Sequence, residues 1–344
     1  MFLTNCNDKF YEKSYSYRKS FTIQNMAGVE VPMTLTQEQI TDIKENPSLN
    51  RLDIGHAVST YIGKTKKIAY GLFSVRPNRS YWVLYTPVEN IQVIEIYTVV
   101  QGTLEVEYQD RTFVLHEGDS LDASEYPDLL SFYSEAGTEI LIEMTTSIYE
   151  SNFRDTEIVQ READAIEKVD GYTFHHCARI KDYSIELWKK LEQPIERVSM
   201  LRWGAYFHDI GKLAVPLEVL NKIEKLTAHE WEQMKAHTTK GAEMLRNHEI
   251  EWIRYSAFIV EQHHERYDGK GYPYGLKGDE ISLEAAIVSV VDSFDAMTTD
   301  RVYRKALSLD EAIQEIVRGR GTQFHPKVVD AFLKLLHEQK FNWH

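Results

Sequence analysis

Residues 263–273 read HHERYDGKGYP. The first two of them, His263 and His264, end a segment, 250–264, that has the length and composition of a helix. The Gly-x-Gly-Tyr-Pro part cannot continue that helix, because glycine and proline both disfavour helical backbone. The chain must therefore leave its helix directly after two adjacent histidines. This stretch predicts a helical region in which a pair of imidazoles is followed by a tight loop.

The segments around this stretch are also helical in length and composition, and glycine or proline separates several of them. They span residues 173–191, 194–208, 227–247, 250–264, 282–298, 309–318 and 325–338. The pattern predicts an all-α bundle. Residues 151–169 are charged and lack glycine and proline, so they predict a connecting helix that could pair with a second copy of the chain.

Histidine is concentrated in the helical part, since only two of the 13 histidines, His56 and His116, precede residue 150. Imidazole and carboxylate are ligands for divalent iron, manganese or zinc. Adjacent residues on a helix point about 100° apart, so a His-His or His-Asp pair suits two neighbouring ions better than one. A single histidine is usually structural, so the interpretation depends on the whole set. The set comprises His175, His176, His208, Asp209, His237, His263, His264 and Asp292.

These residues occur in an ordered series of strings that resembles the HD-GYP family, the branch of HD-domain metal phosphohydrolases that opens cyclic di-GMP. The resemblance runs from about Asp170 to Phe332. The strings are DGYTFHHCARI (170–180), FHDIGK (207–212), HTTKG (237–241), HHERYDGKGYP (263–273), DSFDAMTTDRVYRKA (292–306) and GTQFHP (321–326). A lone His-Asp dipeptide is weak evidence, whereas this series is specific.

The resemblance implies a centre of two divalent ions, iron or manganese. One ion would be held by His176, His208, Asp209 and Asp292, and the second by Asp209, His237, His263 and His264. Some relatives recruit a third ion with an acidic residue one turn before the first histidine. Tyr172 occupies that place here, which favours two ions.

The resemblance also implies substrate contacts. Lys212 would neutralise the phosphate and assist the leaving 3′ oxygen, while Arg301 and Arg304 would bind phosphate or guanine. The alternative is that Arg301 and Arg304 only lie on an exposed helix face and do not bind substrate. The loop that contains Gly271, Tyr272 and Pro273 would shape substrate access or meet partner proteins, or it is only a rigid turn.

The preceding part of the chain has strand-like alternation from about residue 66 to 148. It resembles a cupin: Glu95 and Gly102 fit the first motif, and Gly118 with Asp119 begins the second. The metal histidines of cupins are missing, since their places fall within 87–90 and near Leu129. We therefore expect regulation or binding of a small ligand here, rather than metal catalysis. Before it, Thr36 to Glu45 predicts a short helix with its N-cap near Thr36.

Length and charge limit the function classes. The chain has 344 residues, and 39 Lys plus Arg against 53 Asp plus Glu give a net charge of −14, which argues against binding polymeric nucleic acid. No apolar run approaches the roughly 18–20 residues that span a bilayer, and the N-terminus lacks the apolar core of a secretory signal. Two isolated cysteines, Cys6 and Cys177, are expected to be structural. We expect a cytoplasmic protein without a membrane segment.

The predicted organisation is multidomain: a cupin-like β-barrel or sandwich, followed by an all-α HD-GYP bundle. The boundaries are 1–65 for an N-terminal extension partly joined to the β domain, 66–148 for the cupin-like domain, 149–169 for the linker helix and 170–344 for the HD-GYP domain. We expect a homodimer, a small ligand in the cupin-like domain, and signalling proteins at the glycine-rich loop.

The implied function is metal-dependent hydrolysis of cyclic di-GMP to linear pGpG, with further cleavage to GMP left open. One alternative is a phosphodiesterase for another cyclic dinucleotide, such as cyclic GMP-AMP. Another is a non-catalytic cyclic di-GMP receptor that signals through the linker helix. The complete ligand set and Lys212 argue against the receptor, which would not need two metals.

Overall fold

A computed structural model of the chain describes residues 35–53, 56–85, 93–109, 111–126, 129–170, 174–300 and 305–338. A β region comes first and a helical region follows, as predicted. The strands are β1 (Arg51–Asp53), β2 (Ala57–Lys64), β3 (Ile68–Val75), β4 (Arg79–Leu84), β5 (Glu95–Gln101), β6 (Thr103–Tyr108), β7 (Arg111–His116), β8 (Ser120–Asp122), β9 (Leu129–Ser134) and β10 (Thr138–Thr145).

The strands form two antiparallel sheets, one of six strands in the order β1-β2-β3-β10-β5-β8 and one of four in the order β4-β9-β6-β7. Apolar side chains from both sheets form a common core in which Leu104, Leu130, Phe132 and Ile140 are fully buried. Because both sheets contribute apolar side chains to one core, they pack face to face as a sandwich. Two of its strands, β1 and β2, come from residues that the sequence analysis places in the N-terminal extension.

The helices are α1 (Gln37–Glu45), α2 (Thr146–Asp170), α3 (Phe174–Lys190), α4 (Val198–Tyr206), α5 (Leu217–Leu220), α6 (Ala228–Lys235), α7 (His237–Arg246), α8 (Glu251–Arg254), α9 (Ala257–Gln262), α10 (Leu283–Thr298), α11 (Leu309–Gly319) and α12 (Pro326–His337). The N-cap predicted at Thr36 is confirmed: its hydroxyl accepts from the Gln39 N–H at 3.2 Å. Among the described helices, none combines the length and the apolar character that a membrane span requires.

The predicted connecting helix is confirmed as α2, which packs against both regions. Near its start, Tyr149 and Phe153 contact Tyr61 of β2 at ring distances of 5.6 and 6.0 Å. Further along, Ile158 and Ile166 are buried in a core of the helical region. The helix therefore joins the two regions by burial of apolar side chains at both ends.

Two predicted helices are wrong in detail, because each is split. The segment 227–247 divides into α6 and α7 at Ala236, and 250–264 divides into α8 and α9. At the first break the Nδ1–H of His237 donates to the Met234 carbonyl at 2.8 Å. A side chain that bonds the backbone in this way competes with regular helix geometry.

Candidate metal centre

Five elements bring the predicted metal ligands to one place in the bundle. His176 lies in the first turn of α3, His237 begins α7, and Asp292 lies in α10. His208 and Asp209 directly follow α4, and His263 and His264 directly follow α9. The seven ligands implied by the resemblance thus come from distant parts of the sequence to a single site.

Two glycines allow the close packing that positions this site. Asp209 is followed by a turn of 3₁₀ helix, Ile210–Ala214, which lies against α7. A Cβ on Gly211 would lie 1.8 Å from the His237 carbonyl oxygen and 2.5 Å from the Gly241 nitrogen. Only glycine, which has no Cβ, fits at this contact. The turn that carries HDIGK can therefore pack closely against the helix that carries HTTKG.

The ligand atoms form two groups, within each of which they lie within 4.8 Å of one another. The first group contains His176, His208 and Asp209, and the second contains Asp209, His237, His263 and His264. Asp209 belongs to both: its Oδ2 lies 3.2 Å from His208 Nε2 and its Oδ1 lies 3.5 Å from His237 Nε2. One carboxylate thus faces two neighbouring sets of imidazoles.

Asp292 lies beside the first group. Its Oδ1 lies 3.6 Å from His176 Nε2 and 3.7 Å from His208 Nε2. These separations are longer than hydrogen bonds and are compatible with donors that converge on a cation between them.

Backbone carbonyls fix the orientation of three imidazoles. The Nδ1–H groups of His208, His237 and His263 each donate to the carbonyl three residues earlier, at 2.8, 2.8 and 2.7 Å. The Nε2 atoms of the same residues are buried and make no hydrogen bond within the described part of the chain. Buried Nε2 atoms, one in the first donor group and two in the second, are suited to hold divalent cations.

His176 is oriented by a carboxylate instead. Its Nδ1 lies 2.7 Å from Asp295 Oδ2, and Arg179 Nε donates to Asp295 Oδ1 at 2.6 Å. Burial opposes ionisation of Asp295, but His176 and Arg179 lower its pKa to about 2. The sequence analysis missed Asp295, although its place one turn after Asp292 in α10 could have indicated it.

The electrostatics of the site favour metal binding. Burial lowers the pKa of His264 to about 3 and also lowers the pKa values of His237 and His263, so these imidazoles are neutral at pH 7. Neutral imidazole is the form that coordinates metals. Burial would raise the pKa of Asp209, but Lys212 and His208 hold it well below its usual range. The site therefore combines neutral nitrogen donors with an ionised carboxylate.

Lys212 and His208 compensate the negative charge of Asp209. Lys212 Nζ lies 2.9 Å from Asp209 Oδ2, so the predicted phosphate-binding lysine contacts the shared carboxylate. Burial would lower the pKa of His208, but Asp209 and Asp292 raise it to about 9. In the metal-free chain the imidazole of His208 is therefore protonated and balances two carboxylates, and its Nε2 must lose that proton before it binds a cation.

The glycine-rich loop folds over the second group. The ring of Tyr272 lies 4.9 Å from that of His264. Glu265 is buried, and its carboxylate accepts the backbone N–H groups of Tyr274, Gly275 and Leu276 at 2.7, 3.1 and 3.0 Å. The sequence analysis did not single out Glu265, which holds the loop in place.

A cavity of about 360 Å³ opens between this loop and the ligands. His263, His264 and Asp292 line one side of it, and Tyr272 and Gly271 line another. Trp231 and Lys235 of α6 also line it, and the sequence analysis assigned them no role. Arg301, Arg304 and Tyr172, to which it did assign roles, lie outside the described residues.

Comparison with known proteins gives a family for the helical region. Residues 160–328 match the family model described as "HD domain". The cyclic di-GMP phosphodiesterase response regulator RpfG of Xanthomonas campestris is 40% identical over 191 residues, which cover 56% of this chain and 50% of that protein. The 3′3′-cGAMP-specific phosphodiesterase 2 of Vibrio cholerae is 32% identical over 178 residues, covering 52% of this chain and 34% of that protein.

The β region has its own neighbour among solved structures. A cupin-2 domain protein from Shewanella frigidimarina is similar with a TM-score of 0.21 and 17% identity, over 25% of this chain and 76% of that one. The chain spans about half the length, or less, of the two curated relatives. Residues 160–328 of this chain match the HD domain family, and the motif His263–Pro273 resembles that of its HD-GYP branch.

Proposed function

We propose that this chain hydrolyses a phosphodiester bond of a cyclic dinucleotide. The first candidate substrate is cyclic di-GMP, and the product is linear pGpG. The observation that carries the proposal is the pair of donor groups that share Asp209, beside a cavity that His263, His264 and Asp292 line. Two neighbouring cations in such a site supply the Lewis acidity that activates water and neutralises phosphate charge. We propose two ions, iron or manganese, because the donors are imidazole and carboxylate without thiolate.

The residues of the chain have separate roles in this proposal. One ion would be held by His176, His208 and Asp292, and the other by His237, His263 and His264. Asp209 would contact both ions. Lys212 Nζ, 2.9 Å from Asp209, is the donor best placed to neutralise a phosphate oxygen and to assist the leaving 3′ oxygen. Arg301 and Arg304 remain predicted contacts for phosphate or guanine.

Cyclic GMP-AMP is the second candidate substrate, and the similarity to a 3′3′-cGAMP-specific phosphodiesterase supports it. The candidate metal ligands do not distinguish guanine from adenine, because the ions they would hold contact the phosphate and not the base. Cleavage of pGpG to GMP would use the same centre. The non-catalytic receptor is less well supported, because a receptor needs neither the second donor group nor Lys212.

We propose that the cupin-like region regulates the helical region, and its contact with α3 supports this. Lys189 near the end of α3 pairs with Glu107 of β6 at 3.0 Å, and His176 lies near the start of the same helix. Trp82 of β4 belongs to the core of the helical region. A ligand that shifts the β region would therefore act on a helix that carries a metal ligand. A homodimer and signalling partners at the loop 269–275 are further proposals.

The test is an assay of the purified full chain, loaded with Mn²⁺ or Fe²⁺, against cyclic di-GMP, 3′3′-cGAMP and cyclic di-AMP, with the products separated by chromatography. We expect pGpG from cyclic di-GMP, and a loss of at least about 100-fold in rate for Asp209→Ala. Asp119→Ala, on the exposed turn before β8, is the matched control. Near-normal turnover in Asp209→Ala would contradict the proposal, and so would an unaltered, metal-loaded chain that cleaves no cyclic dinucleotide.

A further inference from the structure

We infer that Trp231 and Lys235 form a subsite that binds one nucleobase of the cyclic dinucleotide and its adjoining phosphate, at the rim of the cavity. This inference rests on the proposed function and deepens it. Both residues lie on α6, four positions apart, and therefore on one face of the helix. Neither is among the ligands of the metal centre.

The cavity has two chemically different walls. His263, His264 and Asp292 form the wall that would hold the cations and the reacting phosphate. Trp231, Lys235 and Tyr272 also line the cavity and are not among the candidate metal ligands. A cyclic dinucleotide has two phosphates and two bases, so a substrate with one phosphate at the centre must place its remaining parts elsewhere. The aromatic and cationic wall provides a matching surface.

A continuous series of rings leads from the metal ligands to this rim. His263 and His264 lie 4.0 Å apart between ring centroids, His264 and Tyr272 lie 4.9 Å apart, and Tyr272 and Trp231 lie 6.2 Å apart. The rings of Tyr272 and Trp231 are nearly perpendicular, at 76°. Such a contact leaves at least one face of the indole uncovered by Tyr272. Trp231 is also 46% exposed, which is unusual for so large an apolar side chain.

Lys235 supplies positive charge beside Tyr272, the neighbour of that indole. Its Nζ lies 6.0 Å from the centroid of the Tyr272 ring. It pairs with Glu232 at 2.7 Å, but the Glu232 side chain is 69% exposed, so the pair is weak and easily exchanged for a phosphate. An aromatic face next to an ammonium group is the combination that binds a base together with its phosphate.

The helix that carries the two residues is held firmly before any ligand binds. Thr227 and Glu230 form a capping box at the start of α6, and Lys222 Nζ donates to both Glu230 carboxylate oxygens at 2.7 Å. The indole is thus presented from a fixed helix rather than from a loop. A fixed surface loses little conformational entropy on binding.

The experiment compares two substrates in the full, metal-loaded chain. Cyclic di-GMP carries bases, whereas its abasic analogue, in which hydrogen replaces both guanines, keeps the phosphodiester ring but has no group that stacks. For Trp231→Ala we expect KM for cyclic di-GMP to rise about tenfold, with kcat within about twofold, because stacking on a base is lost. Trp231→Phe should keep most of the affinity. Hydrolysis of the abasic analogue should not change.

Two control variants make the comparison specific. Tyr255→Ala removes another exposed aromatic ring, at a position that does not line the cavity, and should behave as the unaltered chain. Lys235→Gln should raise KM for cyclic di-GMP, whereas Lys225→Gln, the same charge change at an exposed position, should not. Equal losses on both substrates, or an unchanged KM in Trp231→Ala, would overturn the inference.

Binding of cyclic di-GMP, measured by calorimetry, separates this inference from the proposed function. Binding without turnover, weakened about tenfold in Trp231→Ala, would contradict the proposed hydrolysis but support the subsite. Turnover with equal affinity in both proteins would support the hydrolysis and overturn the subsite. If Trp231→Ala does not fold, the Phe variant decides: retained affinity supports stacking, and a loss as large as tenfold opposes it.

Discussion

His176 Nδ1 lies 2.7 Å from Asp295 Oδ2, so a carboxylate outside the ligand set orients the first histidine of the metal centre. Arg179 holds the other carboxylate oxygen at 2.6 Å. This arrangement selects Nε2 of His176 as the atom that faces Asp292. It also makes the position of His176 sensitive to a residue that would touch neither metal nor substrate.

Asp295→Asn should therefore weaken metal binding by about 10- to 100-fold while the chain stays folded, because the amide does not hold the imidazole and Arg179 as the carboxylate does. Titration of the metal-free chain with Mn²⁺, followed by calorimetry, measures the change. Asp330→Asn, which removes an exposed carboxylate paired with Arg320, is the control. An unchanged Mn²⁺ affinity in Asp295→Asn would show that Asp295 does not position the ligand.

Gly211→Ala should destabilise the helical region by about 3 kcal/mol or more, because a Cβ there would lie 1.8 Å from the His237 carbonyl oxygen. The free energy of unfolding in urea, with helical circular dichroism as the signal, measures the effect. Gly118→Ala is the control: its Cβ would meet no atom within 4 Å, so its cost is limited to the positive φ, about 1 kcal/mol. Equal costs for the two variants would contradict the steric account.

Glu265→Gln should loosen the loop 269–275, because an amide can accept fewer of the three backbone N–H groups that the carboxylate now accepts. We expect faster proteolytic cleavage within this loop and a KM several-fold higher for the substrate. Asp279→Asn, an exposed neighbour whose side chain is 90% accessible, should change neither quantity. A loop that remains resistant in Glu265→Gln would mean that packing of Tyr272 on His264 suffices to hold it.

Saturating Mn²⁺ should raise the unfolding temperature of the metal-free chain by several degrees, since a ligand that binds only the folded state stabilises it. At 100 times Kd this stabilisation is about 2.7 kcal/mol. The shift should shrink strongly in Asp209→Asn and persist in Asp119→Asn. A shift of the same size in both variants would place the stabilising ions away from Asp209.

The residues that come together at the candidate metal centre could be predicted from sequence, because their strings keep a fixed order and each occurs near a helix end or within a helix. The splitting of residues 227–247 could not, since it depends on the bond from His237 to the Met234 carbonyl. Asp295 was missed because its role depends on a contact with α3, more than 100 positions earlier. Strands β1 and β2 were missed because residues 51–64 alternate weakly; β2 gains its pairing from β3, and β1 from β2.

The central claim is that Asp209 is shared by two ions, and anomalous scattering from crystals of the Mn²⁺-loaded chain tests it most directly. The account predicts two anomalous peaks per chain, one beside His176 and His208 and one beside His237, His263 and His264, with Asp209 in contact with both. It predicts no third peak, because Tyr172 stands where an acidic ligand would be needed. A single peak, three peaks, or peaks that Asp209 does not touch would contradict it.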